Sequence, residues 1–232
     1  MHLPPLSSRL AACCEFVKPG ARVADIGCDH GYLGIHLLRN GIAHSVYAAD
    51  VNEGPLQSAV ANARKFGVEN KMTFYLSDGV QNVPRDFDTL VCAGMGADTM
   101  ISILEAAPWL RSDKYRLILQ CQSRRPELRK YLYANGFSIL SESLAKDGKF
   151  IYPVMEVIYR PVPALTEGGY HLSPALLAGK SPLLPEFYDR VVDGLKTTVI
   201  GLSRSGGKKF DHYQAVLTEL LELEEFIHGN CQ

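Results

Sequence analysis

The chain has little of what would place it in several large classes. No stretch approaches the roughly 18 consecutive apolar residues of a membrane-spanning helix. The start, MHLPPLSSRL, lacks the charged-then-apolar order of a signal peptide. The six cysteines, Cys13, Cys14, Cys28, Cys92, Cys121 and Cys231, form no CxxC and have no histidine at zinc spacing. Neither a disulfide framework nor a metal site is therefore expected, and the usage fits a reducing, cytoplasmic setting. Twenty-four basic residues against 25 acidic ones leave a net charge of -1, so no global basic excess announces a polyanionic partner. A local patch offset elsewhere remains compatible with one. No internal repeat or low-complexity tract is present.

What is there is an ordinary globular composition, 47% hydrophobic and 21% charged over 232 residues, and a clear alternation of two periodicities. Strands are predicted at Arg22 to Gly27, His44 to Asp50, Met72 to Leu76, Phe87 to Ala93 and Tyr115 to Gln122. Helices fall between them at Tyr32 to Asn40, Pro55 to Phe66 and Ala97 to Ala107, and another follows at Arg125 to Asn135. Single helices between strands imply βαβ units, a mostly parallel sheet and an α/β, Rossmann-like fold. From residue 137 the alternation gives way to two strands, Phe137 to Ala145 and Phe150 to Tyr159, joined through Asp147-Gly148 as a hairpin.

After Arg160-Pro161-Val162-Pro163 the pattern becomes helical. Phe187, Val191, Leu195, Val199 and Leu202 recur at helical spacing, as do Tyr213, Val216, Leu220, Leu223 and Ile227, with Ser205-Gly206-Gly207 between them. We expect residues 1–160 to form one domain and residues 161–232 an antiparallel helical hairpin of coiled-coil character. The sequence does not set the oligomeric state, and a monomer is compatible with it.

Ligands of open parallel sheets bind at the carboxyl ends of the strands. The first strand ends in ADIGCDHGYLG, with Asp25, Gly27, Asp29 and Gly31. The second ends at Asp50, about twenty residues beyond the loop, where an acid can accept both ribose hydroxyls. The third ends at Ser77-Asp78-Gly79 and the fourth at Ala93-Gly94-Met95-Gly96. A dinucleotide would set its pyrophosphate where Asp29 stands, and that carboxylate would repel it. S-adenosylmethionine carries no phosphate, and its sulfonium and ammonium tolerate acids. Asp29 thus favours the methyl donor over NAD, with a cap on the helix near Tyr32 as the competing reading.

These residues carry a resemblance. LSSRLAACCEFV, VADIGCDHGYLG, YAADVNEGPLQSA, LSDGV, AGMGADTM, LILQCQ, LRKYLYANGFSI and DGKFIY are similar to the motifs of the bacterial tRNA (adenine-22, N1)-methyltransferase family, TrmK. The likeness spans nearly the whole chain, because that family also carries a helical, coiled-coil-like tail. It departs from the family pattern at Gly31 and Gly34, where DHAYLP is common, at Ala97, where GMGG is common, and at Cys121. The resemblance implies S-adenosyl-L-methionine as cofactor and S-adenosyl-L-homocysteine as product. Gly27 and Gly31 would approach its methionine part, Asp50 the ribose, and Asp78 with Gly79 the adenine. Asp25, Cys28, Val51 and Ala93 complete the cofactor set. Gly94, Met95 and Gly96 would line the pocket for the target base. Asp29 would orient that base and stabilise the positive charge that methylation creates at N1. Proton abstraction is the less favoured role, because the ring nitrogen already has a lone pair. His30 reads as a residue packed under the loop.

A tRNA partner needs phosphate contacts. Seven cations lie between Arg111 and Lys130, and Arg124 and Arg125 follow the fifth strand on the cofactor side. Arg9 is another candidate near the pocket. Arg129 and Lys130 read as a solvated helix face. The tail holds nine acids and six bases, so any RNA contact there is local. Two other functions stay open at this point. One is a methyltransferase acting on another RNA site or a small molecule; the other is a non-catalytic S-adenosylmethionine-binding module using its tail as a partner surface.

Overall fold

Seven strands form one sheet in the order β3-β2-β1-β4-β5-β7-β6 in a computed structural model of the chain, which describes residues 5–204 and 206–229. Cys231 and Ser205, both named above, lie outside the described residues, as do the first four residues. The five central strands are β1 (Ala21–Ile26), β2 (Ala43–Asp50), β3 (Met72–Leu76), β4 (Thr89–Met95) and β5 (Arg116–Cys121), and their pairings are all parallel. The hairpin of β6 (Phe137–Asp147) and β7 (Phe150–Tyr159) joins antiparallel to β5. This is the expected Rossmann-like, mostly parallel seven-stranded sheet with a terminal antiparallel pair.

Period-two alternation distributes the strands' side chains between two cores. Val23, Val91 and Ile118 point to the face covered by α1 (Ser8–Glu15), α2 (Tyr32–Arg39) and α3 (Glu53–Lys65). Ala24, Leu90, Leu117 and Leu119 point to the opposite face, under α4 (Ala97–Glu105) and α5 (Arg125–Ala134). Each large aliphatic buried this way contributes about 1.5–3 kcal/mol.

Several features differ from the sequence reading. Helix α1 was not anticipated, although Leu10, Cys13, Cys14 and Val17 follow the i, i+3, i+4, i+7 spacing and pack on the sheet. Strand β4 begins at Thr89 and runs on to Met95, with a register shift between Ala93 and Met95. Phe87 instead seats its ring beside Trp109 and Tyr115 in the core. Arg129 is also not solvated. It is fully buried, ion-paired with Glu142 of β6, and donates to the Tyr170 carbonyl at 3.0 Å. Ser173 donates to the other oxygen of Glu142, so the carboxylate is held on both sides. Lys130 is half exposed and pairs with Glu167.

The tail contributes α6 (Pro174–Ala178), α7 (Leu184–Ser203), α8 (Lys208–Leu221) and α9 (Glu224–Gly229). Helices α7 and α8 run antiparallel, since the Tyr188 hydroxyl near the start of α7 donates to the Leu220 carbonyl at the end of α8. The expected single second helix is broken after Leu221. Phe187, Tyr188, Val192 and Leu195 pack with Val216 and Leu220, but also with Leu144 and Ile151 of the hairpin. The core is therefore three-sided, and Ile200 further along α7 is 71% exposed.

Candidate active site

A cavity of about 390 Å³ opens at the carboxyl ends of β1, β2 and β4. Its floor is Asp25, the last acid of β1, buried among Cys13, Cys14, Cys28 and Cys92. Burial pushes this carboxyl up to about 7; a hydrogen bond from the Gly34 backbone opposes the rise and the nearby Asp50 adds to it. Its Oδ2 is buried with no hydrogen-bond partner. Asp25 lines the cavity, and a buried acid with an unpaired oxygen there is suited to a cationic group.

The loop after β1 is held by its own donors. The backbone N–H groups of Gly27 and Cys28 both donate to the Ala49 carbonyl, at 2.8 and 3.0 Å, and that of Gly31 donates to Cys28. The Asp29 N–H donates to Asp50 Oδ2 at 3.1 Å, while Asn52 N–H occupies Oδ1 at 2.9 Å. Four donors that could cradle a phosphate are thus already engaged. Gly27 has φ +69°, and a Cβ there would stand 2.3 Å from the Met95 methyl, which folds over it. The positive φ favours glycine, while the Met95 methyl, at the end of a flexible side chain, would have to shift for any larger residue.

The side chain of Asp29 is 71% exposed at the rim, and its carboxylate stands 3.6 Å from His30 Nε2. It does not cap α2, whose N-cap is Gly31 with no side-chain bond. His30 is correspondingly exposed at the rim rather than packed under the loop. Opposite lies Gly94, at φ +82°, whose N–H donates to Gln120 Oε1 at 3.0 Å. The same oxygen accepts from Arg9 Nη1 at 3.2 Å, and a Cβ on Gly94 would meet that guanidinium at 2.9 Å. Arg9 therefore belongs to the cavity wall, with Asp147 at the hairpin tip 3.8 Å away.

Asp25, Gly27, Cys28 and Asp29 thus share one cavity with Asp50, Ala93, Gly94 and Met95. Other predicted residues stand outside its lining. The missing side chain of Gly31 faces Ala59 and Met72, so it serves the packing of α2 on α3. Val51 is 63% exposed, and Asp78 is exposed beyond β2 with Gly79 packed against Ile103. Gly96 is the N-cap of α4. Arg124 Nη1 donates to both carboxylate oxygens of Asp98 at 2.8 Å, and the Arg125 guanidinium stacks 5.1 Å over Phe187. Leu10, Tyr32 and Asn52 also line the cavity and were not singled out from sequence. Leu10 could have been found from the α1 periodicity, and Asn52 from its place two residues after the acid of β2.

Among the described residues no group of three acids, histidines or cysteines is placed to hold a metal, and no helix is long and apolar enough to cross a membrane.

A strand-end cavity of this make-up, on this sheet order, belongs to a recognised class. The profile of the methyltransferase-domain family matches residues 6–155, and the chain belongs to that family. Within it, the chain is 34% identical over 146 residues to the tRNA (adenine(22)-N(1))-methyltransferase of Bacillus subtilis (strain 168). That match takes in 62% of this chain and 61% of the relative's length. A candidate tRNA (m1A22) methyltransferase of Streptococcus pneumoniae, solved with S-adenosyl-L-methionine, superposes with a TM-score of 0.83 at 27% identity, covering 95% of this chain and 100% of that one. A Streptococcus agalactiae protein described as a member of the NADB-Rossmann superfamily superposes at 0.86 with 27% identity, over 95% and 98% of the two chains. The motif resemblance and these relatives agree.

Proposed function

We propose that the chain is an S-adenosyl-L-methionine-dependent methyltransferase that modifies N1 of adenine 22 in tRNA, in the cytoplasm. The observation that carries the cofactor reading is the vacant, buried Asp25 oxygen in a cavity whose loop donors are already engaged. A cationic ligand gains there; a pyrophosphate would find few free N–H groups. The tRNA reading draws on the B. subtilis and S. pneumoniae relatives named above.

In this reading Asp25 holds the ammonium of the methionine part and Asp50 accepts from the ribose. Gly27 and Cys28 give backbone contact, while Asp78 and Gly79 lie toward the adenine side. The cofactor supplies an electrophilic methyl on a sulfonium. This chain's contribution is to hold the acceptor nitrogen in line, which can account for several kcal/mol. Gly94, with no side chain, lets a flat base approach the β4 backbone, and Met95 and Gly96 border the same entry. Asp29, at the rim, would accept from the exocyclic amine and offset the charge that grows at N1. Arg9 and Arg124 are the proposed phosphate contacts, and residues 161–232 a separate helical unit braced on the hairpin.

Incubation with labelled S-adenosyl-L-methionine and unmodified tRNA, beside small-molecule pools, tests this reading. Label is expected in RNA. Label confined to small molecules would replace the acceptor, and cofactor binding with no turnover would leave only a binding module.

A further inference from the structure

A second cleft, of about 240 Å³, lies between the β6–β7 hairpin and α7. Its walls include Phe150, Tyr152, Arg125 and Arg190, with Gln122 at one end. Resting on the tRNA reading above, we propose that this cleft binds an unpaired nucleotide next to the target adenine, stacking its base on Phe150 with the tilted Tyr152 ring at its edge.

The position follows from strand register. β7 runs antiparallel to β5, with Leu119 opposite Met155, so Phe150 to Tyr152 project past the carboxyl end of β5. That is the edge where the active-site cavity opens. Two contacts tie the cleft to it. Asp147 at the hairpin tip pairs with Arg9 of the cavity wall. The Gln122 amide lies 3.7 Å from where a Cβ on Gly94 would stand. Gln122 thus borders both.

The chemistry is that of a base platform. Phe150 is 51% exposed and shares a strand face with Tyr152, the two rings 6.0 Å apart. Lys149 lies 5.3 Å over the Phe150 ring. The walls hold two guanidinium groups, Arg125 and Arg190. The acids close by are already paired: Glu186 with Lys146 and Arg190, Asp147, opposite Phe150 in the hairpin, with Arg9, and Glu142 with Arg129. Arg190 also donates to the Lys149 carbonyl at 2.5 Å, which ties the hairpin tip to α7. Aromatic faces beside cations form the usual pattern for single-stranded nucleic acid, because every base has a π-face and every phosphate a charge. An extruded target adenine leaves its neighbours unstacked, and a nearby platform would hold one of them.

The test uses the full chain with an unmodified tRNA transcript, S-adenosyl-L-methionine as methyl donor for turnover, and S-adenosylhomocysteine for the binding control. Phe150→Ala is expected to raise KM for tRNA about tenfold. Affinity for S-adenosylhomocysteine, measured on the same preparation, should not change, which also verifies folding. Phe150→Trp should retain tRNA binding, whereas Phe150→Leu, apolar but without a π-face, should lose it as alanine does. An unchanged KM in Phe150→Ala, or full function in Phe150→Leu, would overturn the platform while leaving the tRNA reading intact. If the unaltered chain binds no tRNA, both fall together.

Discussion

Protonation of Asp25 gives the most quantitative prediction. Unfolded, this carboxyl releases its proton near 3.8; folded, it keeps it to about 7 because burial disfavours the charge. Between those values the folded chain binds more protons than the unfolded one, so the stability of the free protein falls as pH rises from about 4 to 7. A cation seated on Oδ2 reverses the preference and drives the proton off. If ligand binding lowers the Asp25 value well below 6, affinity should improve about fivefold from pH 6 to pH 7, roughly 1 kcal/mol. The surrounding thiols do not interfere, since burial pushes Cys14 up to about 12 and Cys13, Cys28 and Cys92 higher still. Calorimetric titration of S-adenosylhomocysteine at pH 6.5, in buffers of different ionisation heat, should register about three-quarters of a proton released per ligand. Asp25→Asn should abolish the release and weaken binding. No release in the native chain, or the same release in Asp25→Asn, would refute this reasoning.

Asp29→Ala should leave S-adenosylhomocysteine affinity nearly unchanged, since its backbone N–H and not its carboxylate touches Asp50, yet lower kcat by about tenfold or more in methyl-transfer assays. Gly27→Ala puts a Cβ on a left-handed backbone and pushes the flexible Met95 methyl aside; a loss of about 1–2 kcal/mol in chemical denaturation is expected, with weaker cofactor binding by calorimetry. Arg129→Met leaves Glu142 buried without its ion pair and should cost about 3–5 kcal/mol in the same denaturation experiment, whereas Lys130→Met, at an exposed pair, should cost less than about 1 kcal/mol. Asp50→Ala should weaken S-adenosylhomocysteine binding more than Asp78→Ala does, because only Asp50 lines the cavity.

The elements that sequence periodicity dictates were legible. β1 to β5 alternate with helices of amphipathic spacing, and the Asp147-Gly148 turn marks the hairpin where βαβ order ends. Strand ends then give the site, because in a parallel sheet chain order alone brings Asp25, Asp50 and Gly94 to one edge. Lateral distance was not legible. β3 is the edge strand, so Asp78 stands one strand beyond Asp50 and two beyond β1. Arg129 was misread because its partner Glu142 lies on another element, and a helix-face count sees only neighbours three and four residues away. The same blindness hid the stacking of Arg125 on Phe187, 62 residues distant in the chain. Arg9 was placed near the pocket, but its sharing of the Gln120 oxygen with Gly94 depends on an unforeseen helix, α1.

Mapping the methylated nucleotide is the most direct measurement of the central claim. After the native chain, S-adenosyl-L-methionine and unmodified tRNA are incubated, nuclease digestion and mass spectrometry should find N1-methyladenosine at position 22 and nowhere else. A methyl group on another base or atom, or unmodified tRNA despite bound cofactor, would contradict the account.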